Sequence, residues 1–508
     1  MSNENLYLRF AGDRFRHAAD RPFLLTPGRE PLHYADLDAA SGRMQSRLMN
    51  LGVTPGDRVM VQVEKSNEAV ILYLACLRAG AIYIPLNTAY TSAEVEYFIG
   101  DATPHLFVCL PETRENLVPI ADRIGVAHLL TLDTDGTGSL LDEMNKLDAD
   151  PTVVDRSGDD LAAILYTSGT TGRSKGAMLS HANLQSNAEV LHAYWQWQDA
   201  EDVLLHALPI FHVHGLFVAL HCALLGGSPV HFLSRFNADS VIELLPQSTV
   251  MMGVPTFYTR LLDNPSFDTK VCGNMRLFIS GSAPLLAETH ISFEARTGHR
   301  ILERYGMTET GMITSNPYQG ERVAGTVGFA LPGISVRIAD DKGKALPPGQ
   351  TGVLEMTGPN VFKGYWQMPE KTAAEFRADG WFITGDMALM DEEGRVTIVG
   401  RTKDLIISGG YNVYPKEIES EIDEIPGVKE SAVIGLPHPD FGEGVAAVVV
   451  QDGSRALSES DILVPLQDRL ARFKQPKRVY LVGELPRNTM GKVQKAQLRE
   501  TYKESFSK

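Results

Sequence analysis

Short apolar, β-rich runs alternate with amphipathic stretches over the first 335 residues of the chain. DRVMVQV predicts a strand, NEAVILYLACLRAG predicts a helix that ends at a glycine, and AIYIPL predicts another strand. The alternation continues through five further strand-like segments: HLFVCL, DVLLHAL, SPVHFL, STVMMGV and MRLFISG. Strands that alternate with helices in this way predict an α/β fold built from layered parallel sheets and helices.

The pattern changes twice in the last third of the chain. Residues 323–400 are rich in glycine, and turns separate the strands SVRIAD, GVLEMTG and RVTIVG, which predicts a β-rich subdomain. After GRTKD the pattern is that of a compact α+β unit, with one helix opening at Pro415 and another, over 458–472, containing Pro465. We therefore predict a large N-terminal domain, residues 1–402, and a small C-terminal domain, residues 403–508.

Composition and charge exclude several classes of protein. The chain has 508 residues, 44% hydrophobic and 22% charged, which is typical of an ordered protein with more than one domain. A formal net charge of −16 argues against nucleic acid as a partner. The charged N-terminal segment does not resemble a signal peptide, and no stretch reaches the roughly 18 apolar residues of a membrane helix. Four widely spaced cysteines predict reduced thiols and a cytoplasmic location.

The segment YTSGTTGRSKG, from Tyr166 to Gly176, is rich in Gly, Ser and Thr and carries one lysine. Such a loop can cradle phosphate, because backbone N–H groups of a glycine-rich turn converge on an anion and Lys175 adds positive charge. It is not a Walker P-loop, because Lys175 is followed by Gly176 and the glycine spacing differs. A flexible surface connection explains the composition equally well, so the loop alone leaves both interpretations open.

Four more segments follow in order along the chain. They are RYGMTET (304–310), GWFITGD with Asp386, GRTKDLIISGGYNVYPKEIE (400–419) and LPRNTMGK (485–492). The first combines an aromatic residue, a threonine and a glutamate that could hold a base and a magnesium ion, and Asp386 could accept hydrogen bonds from ribose hydroxyls. Taken singly, each segment is explained by a turn, a helix cap or a surface lysine. Their combined order and spacing is highly specific.

With these motifs the chain resembles the adenylate-forming superfamily of acyl-CoA synthetases, luciferases and peptide-synthetase adenylation domains, over nearly its whole length. GRSKG departs from the family, which more often has proline before the lysine. The resemblance implies a two-step reaction that uses ATP, Mg²⁺ and coenzyme A. A carboxylate attacks the α-phosphorus of ATP to give an acyl-adenylate and pyrophosphate, and a thiol then displaces AMP.

The resemblance also implies roles for individual residues. Lys492 is expected to bridge the carboxylate and the α-phosphate, Thr308 to donate to the α-phosphate, and Glu309 to ligate Mg²⁺. Asp386 and Arg401 match the ribose contacts. The segment from Thr167 to Lys175 is expected to hold the β- and γ-phosphates through Thr167, Ser168, Gly169, Thr170, Thr171, Gly172 and Lys175. The strip around the adenine corresponds to Ser282, Ala283, Pro284, Glu303, Arg304, Tyr305, Gly306 and Met307.

The C-terminal domain is mobile in family members and rotates between the two steps. Lys403 falls where the family has its hinge residue. Ser408, Gly409 and Gly410 are expected to line the pantetheine tunnel, because a narrow thiol arm needs close approach of the backbone. The basic run RFKQPKR (472–478) could attract the phosphates of coenzyme A or simply face solvent.

The family resemblance does not by itself fix the acid that is activated. His212 in HALPIFHVHGL matches the edge of the acyl pocket, and it is also expected to be a catalytic residue. Arg260 in GVPTFYTRLL, together with the Ser282 hydroxyl, would suit a second carboxylate, because a guanidinium can bind a carboxylate with two hydrogen bonds. A solvent-facing arginine on a helix is the other interpretation of Arg260. These segments most resemble malonyl-CoA synthetases. We therefore expect a small dicarboxylate, malonate or methylmalonate. Arg235 is a weaker candidate.

Other interpretations remain at this stage. A medium-chain or aryl acyl-CoA synthetase would share every nucleotide motif, as would a stand-alone enzyme that loads a carrier protein. A nucleotide-binding protein without the thiol step belongs to a different class. No carrier segment follows in the sequence, which disfavours an embedded module. A lysine acetyltransferase is a further expected partner, because acetylation of Lys492 would remove the charge that the first step needs.

Overall fold

The structure is a computed structural model. It describes residues 3–11, 15, 17–167, 174–408, 411–439, 441–488 and 491–506. By their internal contacts these residues form two units, Met1–Ser335 with Thr357–Gly380, and Val336–Met356 with Trp381–Lys508. The domain boundary near residue 402 stays a prediction.

The first unit contains two mainly parallel sheets. The larger has the order β15 (Phe329–Ala330), β14 (Gly311–Ser315), β13 (Leu302–Met307), β12 (Leu277–Ser280), β11 (Val250–Gly253), β9 (Leu204–His206), β10 (Val230–Phe232), β1 (Pro22–Leu25) and β2 (Leu32–His33). The smaller has the order β6 (His128–Thr131), β5 (Leu106–Cys109), β3 (Arg58–Gln62), β4 (Ile82–Pro85), β7 (Leu161–Thr167) and β8 (Lys175–Ser180). Only pairs near the sheet edges, such as β7 with β8, are antiparallel. The predicted α/β fold is confirmed.

Helices connect these strands. The helix Asn67–Ala79 shows why: the Ser66 hydroxyl accepts a hydrogen bond from the Ala69 N–H, and Gly80 ends the helix at φ 67°. The helices of the first unit are Tyr7–Phe10, Tyr34–Asn50, Asn67–Ala79, Ser92–Ala102, Arg114–Ile124, His181–Tyr194, His221–Gly226, Ala238–Leu244, Pro255–Leu262, Ala287–Thr297 and Pro369–Ala374, with a π-helix at His214–Leu220. Along the described chain no helix combines the length and apolar character needed to cross a membrane.

The second unit holds two smaller sheets. One has the order β16 (Ser335–Ala339), β17 (Gly352–Thr357), β18 (Phe382–Met390) and β19 (Val396–Arg401). The other has the order β21 (Tyr411–Val413), β20 (Ile406–Ser408), β23 (Gly442–Gln451) and β22 (Val428–His438), with β24 (Arg478–Val482) also paired to β23. Its helices are Pro415–Asp423, Glu459–Arg469 and Lys495–Tyr502. The helix at Pro415 begins where the sequence predicts it, and Pro465 lies inside the next helix.

The carboxyl ends of the parallel strands position the candidate site. In parallel sheets, ligands bind beside the ends of the strands. Ser282 lies two residues after the end of β12, and the segment that carries His212 and His214 follows β9. The Tyr258 hydroxyl donates a hydrogen bond of 2.5 Å to the carbonyl of Ile279 in β12, which fixes the helix Pro255–Leu262 against this strand.

Candidate active site

The predicted phosphate loop connects two paired strands. Thr167 ends β7 and Lys175 begins β8, and the two residues face each other across the antiparallel pair. The Thr167 hydroxyl donates a hydrogen bond of 3.4 Å to the Lys175 carbonyl. Between them, Ser168, Gly169, Thr170, Thr171 and Gly172 lie outside the described residues, so their expected phosphate contacts stay predictions.

The Lys175 ammonium contacts a carboxylate and an aromatic ring. Its Nζ lies 3.5 Å from a carboxylate oxygen of Glu375 and 4.1 Å from the centroid of the Tyr365 ring. Glu375 also pairs with Lys371 at 2.7 Å. A lysine held this way at the edge of a glycine-rich loop offers a positive charge to an incoming anion.

Glu309 lies in a tight turn between β13 and β14. Glu309 is only 5% exposed, and the Tyr365 hydroxyl donates a hydrogen bond of 2.9 Å to its Oε1. The Phe362 N–H donates to the Glu309 carbonyl at 2.8 Å, so the backbone is held as well. Thr308 precedes Glu309 in the same turn and is half-buried.

The donor set around Glu309 fits Mg²⁺. This ion prefers oxygen ligands and is usually held by one or two carboxylates together with substrate phosphates, without a full protein cage. Glu309 supplies a buried carboxylate, and the described residues contain no cluster of three His, Cys, Asp or Glu that could form such a cage.

Arg304 is a buried cation with unused donors. The residue is 3% exposed, and its Nε and Nη2 atoms have no hydrogen-bond partner in the described part of the chain. The guanidinium packs against Gly281, where a Cβ atom would lie 2.4 Å from its Cζ. Burial lowers the pKa of Arg304 to about 9. A buried guanidinium with free donors is costly unless an anion binds to it.

Two neutral polar groups lie in the same region. The Ser282 hydroxyl is 3.2 Å from Nδ1 of His214, and Ser282 has a strained backbone with φ 72°. Burial, and after it the charge of Arg304, lower the pKa of His214 well below its usual value, so the imidazole is neutral at neutral pH. Its Nε2 lacks a partner among the residues described. The buried Arg304 and His214 and the half-buried Ser282 therefore form a polar group that can receive a small anion.

Arg260, the arginine expected to pair with a second carboxylate, lies on the helix Pro255–Leu262 with an exposed side chain. Its role at the substrate stays a prediction. The buried Arg304 is a second arginine whose charge could pair with such a carboxylate. His212 is half-buried, and its Nδ1 accepts a hydrogen bond of 3.4 Å from the His214 N–H.

The remaining residues of the expected adenine strip border this region. Ala283 is half-buried and Pro284 is exposed directly after Ser282, while Tyr305, Gly306 and Met307 complete β13. Glu303 accepts a hydrogen bond of 3.2 Å from the Gly325 N–H and lies 3.6 Å from His290. The Glu303 carboxylate thus also holds a neighbouring turn.

In the second unit, the two expected ribose residues lie together. Asp386 in β18 faces Arg401 in β19, and the carboxylate is 2.7 Å from the arginine Nε. Asp386 is almost fully buried, so its pairing with the arginine fixes the orientation of the carboxylate. Lys403 lies in the short turn Thr402–Asp404 directly after β19. Ser408 is buried at the end of β20, and Gly409 and Gly410 are outside the described residues.

Lys492 is exposed on a small hairpin of the second unit. Its N–H donates to the Asn488 side chain at 2.9 Å, and the Asn488 N–H donates back to the Lys492 carbonyl at 2.9 Å. Arg487 fixes the hairpin by donating to the Gly491 carbonyl at 2.5 Å and by pairing with Glu430. The hairpin therefore presents the Lys492 ammonium on a firmly bonded backbone.

Two known protein families match the sequence of this chain. The family described as AMP-binding enzyme matches residues 13–366, and the AMP-binding enzyme C-terminal domain matches residues 417–492. The chain therefore belongs to the AMP-binding enzyme family.

Particular relatives are similar over most of their length. A mitochondrial malonate–CoA ligase of Mus musculus is 38% identical over 480 residues, 87% of this chain and 81% of that protein. A feruloyl-CoA synthase of Amycolatopsis sp is 35% identical over 481 residues, 94% of this chain and 95% of that protein. The crystal structure of ATP-bound MatB from Rhodopseudomonas palustris is 55% identical with a TM-score of 0.96, and the match covers 100% of both chains.

Proposed function

We propose that the protein is an ATP-dependent malonate–CoA ligase that forms malonyl-AMP and pyrophosphate, and then malonyl-CoA and AMP. Membership of the AMP-binding enzyme family supports the adenylate chemistry. The malonate–CoA ligase among the relatives supports the acid. The single observation that carries the choice of acid is the buried Arg304 with two unused donor atoms.

The second carboxylate of malonate would supply the negatively charged partner that the buried Arg304 needs. At neutral pH malonate carries two carboxylates, and one must remain charged while the other reacts. We assign the unreactive carboxylate to Arg304, the Ser282 hydroxyl and the neutral His214. A guanidinium binds a carboxylate through two parallel hydrogen bonds, and the low dielectric of a buried site strengthens them. A monocarboxylate would leave the arginine unpaired.

Residues of the first unit are proposed to hold ATP. Lys175 and the loop from Thr167 bind the β- and γ-phosphates, and Thr308 donates to the α-phosphate. Glu309 would ligate Mg²⁺, which when bound neutralises charge on the phosphates. Lys175 is paired with Glu375 in the structure, and this ion pair is proposed to compete with the phosphates of ATP. Tyr305 and the residues that follow Ser282 border the adenine.

Residues of the second unit are proposed to act in both steps. Asp386 and Arg401 hold the ribose, and their ion pair orients the carboxylate. Lys492 neutralises charge where the carboxylate meets the α-phosphate, which is the main barrier when two anions react. Lys403 is the hinge between the adenylation and thioester states, and Ser408 with Gly409 and Gly410 lines the passage of the thiol arm.

A medium-chain or aryl acyl-CoA synthetase is the second candidate, because the feruloyl-CoA synthase is nearly as similar in sequence as the malonate–CoA ligase. Coenzyme A-dependent release of AMP, measured against malonate, methylmalonate, butyrate and benzoate, separates the two. We expect malonate to give the highest kcat/KM. A higher kcat/KM for butyrate or benzoate would contradict the malonate assignment and favour the second candidate.

Two finer points belong to the proposal. Lys492 is exposed, so a lysine acetyltransferase could modify it and stop the first step. Full adenylation activity in protein acetylated at Lys492 would contradict this. We also propose a cytoplasmic location, which the four buried, unpaired cysteines support. Localisation of a tagged full-length chain outside the cytoplasm would contradict it.

A further inference from the structure

One short segment of the first unit, residues 362–366, is hydrogen-bonded both to β8 and to the turn that contains Glu309. The N–H groups of Lys363 and Trp366 donate to the Met178 and Gly176 carbonyls, which belong to β8, the strand that begins at Lys175. The Phe362 N–H, at the start of the same segment, donates to the Glu309 carbonyl at 2.8 Å. Residues 362–366 therefore link β8, which begins at Lys175, to the turn that contains Glu309.

The side chain of Tyr365, within this segment, contacts both functional groups directly. Its hydroxyl donates a hydrogen bond of 2.9 Å to Oε1 of Glu309. The Lys175 ammonium lies 4.1 Å from the centroid of its ring, within the distance at which a cation is attracted to an aromatic face. Tyr365 is 3% exposed, so both contacts lie in a shielded environment.

We propose that Tyr365 is a positioning residue that aims Glu309 at the metal and Lys175 at the phosphates, each through a different part of its side chain. The inference rests on the proposed roles of Glu309 and Lys175. The hydroxyl orients the carboxylate, as outer-shell partners of metal ligands generally do. The ring gives the flexible lysine a platform, which lowers the entropy that it loses when it binds an anion.

The two contacts can be removed one at a time. Tyr365→Phe deletes the hydroxyl and keeps the ring, whereas Tyr365→Leu deletes both. ATP binding to each full-length variant is measured by isothermal titration calorimetry, first in EDTA and then over a series of free Mg²⁺ concentrations. This readout needs no turnover, so it is independent of the acyl substrate.

We expect Tyr365→Phe to raise the Mg²⁺ concentration for half-maximal enhancement of ATP binding by about tenfold or more, the usual loss when a metal ligand loses its outer-shell partner. Its Kd for ATP in EDTA should stay within about twofold of wild type, because the platform under Lys175 remains. Tyr365→Leu should show the same Mg²⁺ defect and bind ATP about two- to fivefold more weakly in EDTA, because a cation–π contact of this strength is lost.

Tyr34→Phe is the matched control. It also removes a buried tyrosine hydroxyl of the first unit, one that donates to the Ala223 and Ser228 carbonyls. It should leave both measurements at the wild-type value, even if its melting temperature falls. If Tyr365→Phe leaves the Mg²⁺ requirement within twofold of wild type, or if Tyr34→Phe shifts it equally, the positioning role is refuted. If the wild-type protein itself fails to bind ATP, the proposed function falls and this inference with it.

Discussion

Replacement of Arg304 by methionine tests the substrate assignment most deeply. Methionine keeps much of the length and volume of the side chain but removes its charge and donors. In the ligand-free structure this charge is unfavourable, because burial lowers the pKa of Arg304 well below its usual value, to about 9. In the complex, the same charge pairs with the second carboxylate.

Arg304→Met is therefore expected to lower the activity with malonate and to raise the stability of the ligand-free protein. Loss of one partner of a buried charge pair costs about 2–5 kcal/mol, or roughly thirty- to several-thousand-fold in kcat/KM for malonate. Butyrate carries no second carboxylate, so its kcat/KM should change little or rise. The apparent Tm of the ligand-free protein should rise, because an unpaired buried guanidinium is removed.

The assay is pyrophosphate release with malonate and butyrate, together with thermal unfolding without ligand. Arg260→Met is the matched control, because this arginine is exposed and its loss should change kcat/KM for malonate by less than about twofold. Equal loss for the two acids in Arg304→Met, or a malonate-specific loss in Arg260→Met, would refute the assignment of the second carboxylate to Arg304.

Three other predictions concern the two half-reactions and pH. Lys492→Ala should abolish pyrophosphate exchange yet leave thioester formation from supplied malonyl-AMP comparatively intact; near wild-type exchange would contradict its role. Lys403→Pro, which restricts the backbone of the expected hinge, should spare exchange and strongly slow thioester formation, whereas equal loss of both would contradict a hinge. Because Arg304 is charged below its pKa of about 9 and neutral above it, kcat/KM for malonate should fall as the pH rises through 9. A parallel fall for butyrate would point to another group.

Much of the fold could be predicted because local signals and tertiary structure agree. The run from Asn67 to Ala79 has a serine cap before it and a glycine after it, and it forms the helix that these signals predict. The strand Phe382–Met390 was harder to see, because Gly385 interrupts it with φ 72° and suggests a turn. Within this strand, Asp386 lies opposite Arg401 of the neighbouring strand.

The candidate site could be predicted only where motifs are contiguous. The sequence marks Glu309, Asp386, Arg401 and Lys492 because each lies in a dense local motif. It does not show which of several arginines is buried, since exposure depends on the packing of Gly281 against β13, residues distant in the chain. The absence of any side chain at Gly281, directly before Ser282, was the one available signal.

Tyr365 and His214 were missed for the same reason. Tyr365 meets Glu309 across 56 positions of sequence, and no local pattern announces that contact. His214 lies in the segment FHVHGL, but only the folded structure shows that its ring hydrogen-bonds to Ser282.

A competition between two acids tests the central claim most directly. Wild-type protein is given equal concentrations of malonate and butyrate with ATP, Mg²⁺ and coenzyme A, and the thioesters are quantified by mass spectrometry. The account predicts that malonyl-CoA is by far the main product, and that the ratio collapses or inverts in Arg304→Met. Butyryl-CoA as the main wild-type product, or an unchanged ratio in the variant, would contradict it.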